Sequence, residues 1–389
     1  MKLTLDFETY SDLDISSVGG YRYAMHPSAK ALMLSWKIDD GPTQIWDIAG
    51  GTSPPAVQRE SVFDSTPRVL RNALYNPECT IHAFNANFER LVFKYALNIG
   101  LPTSRFRCSM VRAYSLSFSG GLDDVLAQFL PHLKKDPRGK KLMNKFSKPQ
   151  PKNQIVQHWD HKNAPEEWEE YKQYCIQDTE VEYALSTALE AYPYLESEQE
   201  LYVLDQEIND RGVPLDRDLI EAAIKISTKE KARLKTYLQE RTGLANPNSN
   251  SQMLPWLNWQ WVFMQNMQKD TVTETLERDD LIPLVRDVLM HKQQLAKTSV
   301  TKYNAFAKCI CDDDRVRGMF SFAGAQRTNR WAGRIVQLHN LARGGAVTKD
   351  PGTLADVMVA GGHEAIQNLY GAPMIALSDA IRCTITSET

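Results

Sequence analysis

The sequence has no long apolar run. Its first dozen residues, MKLTLDFETYSD, already carry charge, so no signal-peptide core opens the chain, and nothing later approaches the roughly 20 apolar residues of a membrane span. The expected setting is therefore the cytoplasm, that of a host cell if the protein is viral, with no membrane partner. The six cysteines (Cys79, Cys108, Cys175, Cys309, Cys311 and Cys383) form no CxxC pair and no His-flanked zinc spacing, which leaves reduced, structural thiols. Charge of one sign is also lacking. With 45 Lys and Arg against 48 Asp and Glu, the net charge of −3 excludes bulk electrostatic coating of nucleic acid, yet permits a local basic groove beside an acidic site.

What is present is average globular composition, 42% hydrophobic and 24% charged, over 389 residues, enough for two or three domains. Leu3 and Leu5 alternate in the opening stretch, and Ala31 to Ile38 forms a second apolar run. These predict neighbouring strands joined by a Gly-containing loop at Ser17 to Gly20. Thr80 to Phe84 predicts a third strand, passing at Asn85 into a helix marked by Phe88, Leu91, Val92 and Tyr95. Strands interleaved with helices indicate an α/β first domain.

Asp123 to Leu130 reads as a helix, and the charge and turn residues from Lys134 to Asn153 predict a mobile basic loop. A long helix begins at Pro165, with Glu in its first turn, and closes the first domain near Pro193. Beyond Ser197 the chain turns to charged amphipathic helices, Leu219 to Arg241 and Leu281 to Tyr303, interrupted at Asn246 to Ser251. From Arg315 the pattern changes again, to β-like runs rich in arginine. The expected division is 1–195, 196–314 and 315–389.

Asp6 and Glu8 sit two apart on the first strand, so both project from one face. Two adjacent carboxylates repel unless a cation lies between them. Such pairs are common on solvated edges, so this one alone carries little weight. Asn85 and Glu89, four apart at a strand-to-helix junction, share a helix face, and Tyr174 and Asp178 repeat that spacing in the late helix. Singly, Tyr174 reads as a core aromatic and Asp178 as a surface charge. Their order along the chain is what gives them meaning.

D-x-E on a first strand, N-x-x-x-E after a later strand and Y-x-x-x-D on a late helix resemble the three exonuclease motifs of the DEDD superfamily, in the subgroup with a motif III tyrosine. The resemblance implies a ribonuclease H-like fold, a 3′-to-5′ DNA exonuclease of the proofreading type, and two Mg²⁺ or Mn²⁺ ions as cofactors. It implies that Asp6 bridges both metals, that Glu8 and Asp178 hold the water-activating ion, and that Glu89 attends the second. Tyr174 orients the attacking water, and Asn85 supports the substrate strand. Motif II usually presents Asp where this chain has Glu89, which adds reach and looseness to the second metal site. Phe7 and Phe88 either stack on terminal bases or pack beneath the sheet.

The remainder is similar to family A DNA polymerases, particularly the bacteriophage type. Ile208 to Asp216 (INDRGVPLD), the NPNSNSQMLPWL stretch and Leu295 to Tyr303 (LAKTSVTKY) look like linker and thumb landmarks, and Arg315 to Arg343 resembles the entry to the palm. The resemblance implies a mainly helical thumb, an incomplete palm and binding of a single-stranded 3′ end and a primer-template duplex. The residues matched to DNA contacts are Lys297, Thr298, Ser299, Lys302, Arg330, Gln337 and Asn340, with Asn248 and Ser249 near a helix start. His339 and Ala342 depart from the usual Gln and Pro of that stretch. Solvated lysines and a surface ion pair of Arg330 are the competing structural explanations.

The sequence stops at Thr389, where the family continues into the palm strand bearing its first catalytic aspartate. The expectation is no primer extension by this chain alone, and either a piece of a longer polymerase or a subunit whose partner polypeptide supplies fingers and the remaining palm. Two other functions stay open: a DNA-binding or assembly subunit with a weak or inactive exonuclease site, and an RNase of the same superfamily.

Overall fold

A computed structural model describes residues 1–51, 65–118, 120–297, 300–325 and 328–387. The chain divides into two compact units, Met1–Gly212 with Arg317–Gln337, and Val213–Val316 with Leu338–Thr389. Both belong to a mixed α/β protein.

In the first unit the elements run β1 (Lys2–Tyr10), α1 (Ile15–Met25), β2 (Lys30–Ile38), β3 (Gln44–Asp47), α2 (Arg68–Tyr75), β4 (Thr80–Ala83) and α3 (Ala86–Leu91). Then come β5 (Phe106–Cys108), α4 (Ser109–Ser115), α5 (Leu122–Phe129), α6 (Gly139–Phe146), α7 (Pro165–Leu189) and α8 (Glu196–Arg211). The sheet order is β3-β2-β1-β4-β5. β1 pairs antiparallel with β2 and parallel with β4, while β3 and β5 extend the two sides, antiparallel and parallel respectively.

The period of two along β1 sorts its side chains. Leu3, Leu5 and Phe7 enter a core shared with Ile81, Phe93 and Phe106, where each fully buried large side chain contributes about 1.5–3 kcal/mol relative to exposure. Asp6 and Glu8 take the opposite face, with Asp6 paired to Ser35 and Glu8 to Met33. Ser35 Oγ donates to the Cys175 carbonyl at 2.7 Å, fixing α7 over that face. A register shift between Glu8 and Thr9 ends the regular pairing just past the carboxylates.

The long helix α7 starts with Pro165 at its first turn and carries Glu166 and Glu167 there, which suits the helix dipole. Its buried residues Trp168, Tyr171, Tyr174, Cys175, Asp178 and Glu182 recur every three or four positions, so one face carries aromatics and acids alike.

Two local expectations are corrected. Ser17 to Gly20 is not a loop between strands but part of α1, capped by the Asp14 side chain on Ser16 N and bent at Gly19. Gly19 has φ +80°, a conformation that favours glycine, and a Cβ there would also press on the tip of the Ile335 side chain. The supposed mobile basic loop from Lys134 to Asn153 contains α6, whose Leu142 and Phe146 are buried beside Trp168 and Tyr171. Four-residue spacing of two apolar side chains won over the surrounding charge.

The segment Arg317–Gln337 supplies β8 (Phe320–Ala325) and β9 (Arg330–Gly333), an antiparallel pair. Asn209 of α8 exchanges two 3.0 Å hydrogen bonds with the Phe320 backbone, and Phe322 and Ala323 join the core of this unit.

The second unit is mainly helical, with β6 (Val213–Pro214), α9 (Arg217–Thr242), α10 (Asn250–Trp259), α11 (Lys269–Leu276), α12 (Pro283–Leu295), α13 (Thr301–Cys309) and β7 (Arg315–Val316), followed after Leu338 by α14 (Pro351–Tyr370) and α15 (Pro373–Ala380). Asp216 caps α9 through Leu219 N, and Gly243 ends it in the left-handed region. The predicted helix from Leu281 to Tyr303 is two helices, α12 ending where Ala296 N bonds back to the Lys292 carbonyl. Among the described residues no helix is long and apolar enough to cross a membrane.

Candidate metal centre and nucleic-acid contacts

Three elements build the site. β1 presents Asp6 and Glu8, α3 presents Glu89 and α7 presents Tyr174 and Asp178. Asn85, immediately before α3, has φ 70° and ψ 46°, a left-handed conformation that asparagine tolerates, and it turns the chain from β4 into the helix bearing Glu89. Glu8, Glu89, Tyr174 and Asp178 are all buried, and Asp6 is partly so. Among the described residues, Asp6, Glu8 and Cys175 can offer ligand atoms that lie within 4.8 Å of one another.

Burial and mutual repulsion push the carboxyls upward. Burial, then the charge of Asp178, raises Asp6 to about 7 against the opposing pull of Lys135 and the Cys175 thiol. Glu8 is raised well above its ordinary range by burial and by Asp6, although the Tyr171 hydroxyl that donates to it pulls the other way. Glu89 is raised by burial and then by Asp6. Asp178 is raised by burial, less strongly because Lys135 lies beside it. Four acids gathered in this way cannot all ionise without compensating positive charge, and a divalent cation supplies it.

The donor set fits a hard divalent ion. Glu89 Oε2 and Asp178 Oδ1 are buried with no hydrogen-bond partner among the described residues, so two carboxylate oxygens lack the compensation that a cation would supply. Asp6, Glu8, Glu89 and Asp178 are the residues that would hold it.

Several site residues escaped the sequence reading. The Lys135 ammonium is 2.7 Å from Asp178 Oδ2 and 5.6 Å from the Tyr174 ring centre. Gly139 lies against Tyr174 so closely that a Cβ would come 2.2 Å from the ring. Tyr171, three residues before Tyr174, links Glu8 to Ser147 Oγ, the latter at 2.7 Å. Glu182, four beyond Asp178, is buried, pushed up to about 8 by burial, and bonded to Ser109. Continuing the helical spacing from Tyr174 and Asp178 in both directions would have reached Tyr171 and Glu182. Nothing local marks Lys135.

The residues matched to DNA contacts fall in both units. In the first, Phe88 is partly buried against the core and faces Tyr23 with ring centres 6.0 Å apart, Arg330 is exposed on β9, and Gln337 is exposed with φ 53°. In the second, Lys302 Nζ donates to the Asn340 carbonyl at 3.1 Å, bringing two of the candidates together. Lys297, its pKa lowered by burial, lines a cavity of about 590 Å³ with Lys269 and Lys292. Lys292 Nζ reaches Asn248 Oδ1 at 3.1 Å, so that asparagine is already engaged. Thr298 and Ser299 lie outside the described residues.

No family model matches the chain. A curated relative, the DNA polymerase of Bacillus phage SP02, is 38% identical over 384 residues, covering 98% of this chain and 57% of its own length. A solved structure, the POL domain of Pol1 from M. smegmatis in complex with DNA primer-template and dNTP, superposes with a TM-score of 0.54 at 13% identity. That match covers 93% of this chain and 54% of the mycobacterial one, and it speaks for the fold. The chain thus spans little more than half the length of the proteins it matches. Similarity to a phage DNA polymerase over nearly the whole chain, together with a polymerase-domain fold, supports a family A DNA polymerase of the bacteriophage type.

Proposed function

We propose that the chain carries a 3′-to-5′ DNA exonuclease of the proofreading type, within a DNA polymerase that acts in replication in the cytoplasm. The convergence of Asp6, Glu8, Glu89 and Asp178 from three elements onto one buried, cation-demanding site carries this reading. The sheet order, an antiparallel β3-β2-β1 meander continued by parallel β4 and β5, supports a ribonuclease H-like exonuclease domain.

Two bound Mg²⁺ or Mn²⁺ ions supply an activated water and neutralise charge on the leaving 3′ oxygen. Asp6, Glu8, Glu89 and Asp178 would hold these ions, with Asp6 shared, Glu8 and Asp178 serving the ion that activates water and Glu89 the other. Tyr174, locked by Gly139, holds its hydroxyl at the Asp178 carboxylate, where it orients the attacking water. Asn85 and Phe88 flank the end of the substrate strand. In this reading residues 1–195 belong to the exonuclease domain, 196–314 to the thumb and 315–389 to the palm segment, although 196–212 and 317–337 pack in one compact unit with the exonuclease residues. The candidate contacts to primer-template DNA are Arg330 and Gln337 in the first unit and, in the second, Lys297, Lys302 and Asn340, with Thr298 and Ser299 following Lys297 in sequence.

The discriminating experiment offers 5′-labelled DNA and RNA single strands of one sequence with Mn²⁺. Progressive shortening of the DNA from its 3′ end supports the reading, whereas preference for RNA sinks it in favour of an RNase. A second reading, a DNA-binding or assembly subunit with a weak site, is favoured by one observation, the ion pair of Lys135 with Asp178. DNA retention without shortening in either metal selects it.

A further inference from the structure

We propose that Cys175 gives this centre a second, thiophilic binding mode, in which Asp6, Glu8 and the Cys175 sulfur together take a soft divalent cation such as Zn²⁺ or Cd²⁺. The proposal concerns the same site as the exonuclease reading but does not require that site to hydrolyse DNA.

The thiol is part of a gathered donor set. Cys175 Sγ lies 3.9 Å from Asp6 Oδ2 and 3.5 Å from the Asp6 carbonyl, and its ligand atom falls with those of Asp6 and Glu8 inside 4.8 Å. Ligand atoms on one tetrahedral Zn²⁺, with bonds of about 2.0–2.3 Å, sit about 3.3–3.6 Å apart, so closure by a few tenths of an ångström to about 1 Å completes the set. The position is fixed from behind by Ser35 Oγ, which holds the Cys175 carbonyl at 2.7 Å.

An independent feature beside this donor set calls for a cation. Asp178, 5% exposed, and Glu89, 3% exposed, each keep a buried carboxylate oxygen with no hydrogen-bond partner among the described residues, and the charge of Asp178 bears on both Asp6 and Glu8. Asp6 is the partly exposed member of the set.

Sulfur changes which ion wins. Oxygen ligands suit Mg²⁺ and Mn²⁺, whereas a thiolate selects Zn²⁺ and its heavier analogues, which also stand above Mn²⁺ in affinity for mixed donor sets. On coordination the metal–sulfur bond replaces the S–H bond and the proton passes to solvent. Zn²⁺ and Cd²⁺ therefore compete with Mg²⁺ and Mn²⁺ for Asp6 and Glu8.

The test is a Cd²⁺ titration of the full chain, followed by ultraviolet thiolate-to-cadmium charge transfer, in wild type, Cys175→Ser and Asp6→Asn. The expected result is a saturable band in the wild type that resists excess Mg²⁺ and weakens at least about tenfold in apparent affinity in both variants. Asp6→Asn retains all six cysteines, so its loss of signal cannot come from a missing thiol. An undiminished band in Cys175→Ser overturns the proposal by assigning the signal to other thiols. Persistence in Asp6→Asn overturns it as well, by showing a cysteine acting without the carboxylates. Failure of the exonuclease reading would show separately, as absent DNA shortening in Mn²⁺ with the Cd²⁺ band intact.

Discussion

The Lys135 ammonium lies 2.7 Å from Asp178 Oδ2, so one positive charge of the chain already shares a carboxylate that the proposed metal centre requires. Lys135 is three-quarters shielded from solvent, and its pKa is raised by Asp178 despite the opposing effect of burial. A metal and this ammonium compete for the same acid. Lys135→Met should tighten Mn²⁺ binding by at least about tenfold, a change of about 1.4 kcal/mol, in isothermal titration. Unchanged or weaker binding would make Lys135 a support of the metal rather than a competitor.

The raised acids also set a pH dependence. Asp6 stands at about 7 against an ordinary 3.8, and Glu182 at about 8 against 4.5, so the folded, metal-free protein holds these protons more tightly than the unfolded chain. Their contribution is fully present below the unfolded values and is lost as pH rises through about 7 to 8. Thermal melts without metal should therefore weaken from pH 5 to pH 8, and Mn²⁺ should raise Tm more at pH 8 than at pH 6. Asp6→Asn should raise the metal-free Tm at pH 8, by roughly 2–4 °C for each kcal/mol recovered, and lose the Mn²⁺ response. An equal metal response at both pH values contradicts this.

Tyr174→Phe keeps the ring against Gly139 but removes the hydroxyl. Turnover on single-stranded DNA should fall about 10–100-fold with KM little changed, as expected for a group that orients the reacting water. A rise in KM alone would place Tyr174 in substrate binding.

Gly139→Ala tests the packing behind that tyrosine. A Cβ 2.2 Å from the Tyr174 ring has to displace it, at a cost of about 1–3 kcal/mol measured by denaturant unfolding. Combining it with Tyr174→Leu, which removes the ring, should recover most of that loss. Additive losses would show that Gly139 is constrained by something else.

The legible parts of this molecule are those where period and spacing act locally. Two-residue alternation put Asp6 and Glu8 on one face of β1, and four-residue spacing put Tyr174 and Asp178 on one face of α7. Order along the chain, rather than any single pair, singled out these acids and Glu89. Lys135 was illegible because its partner lies a long way along the chain and its neighbours, Lys134, Asp136 and Pro137, read as a turn. Ser17 to Gly20 misled for a related reason. Serine and glycine are turn residues in isolation, but a cap from Asp14 and burial of Val18, Tyr21 and Ala24 hold them in a helix. Cys175 read as a structural thiol because its nearness to Asp6 depends on how α7 lies on the sheet.

The central claim is most directly tested by following a 5′-labelled single-stranded DNA with Mg²⁺ or Mn²⁺ in the wild type, Asp6→Ala and Asp178→Ala. The account predicts a ladder shortening from the 3′ end that each substitution reduces by more than about 10³-fold, roughly 4 kcal/mol of transition-state stabilisation. A ladder of equal rate in either variant, or no ladder with either metal despite DNA binding, would contradict it.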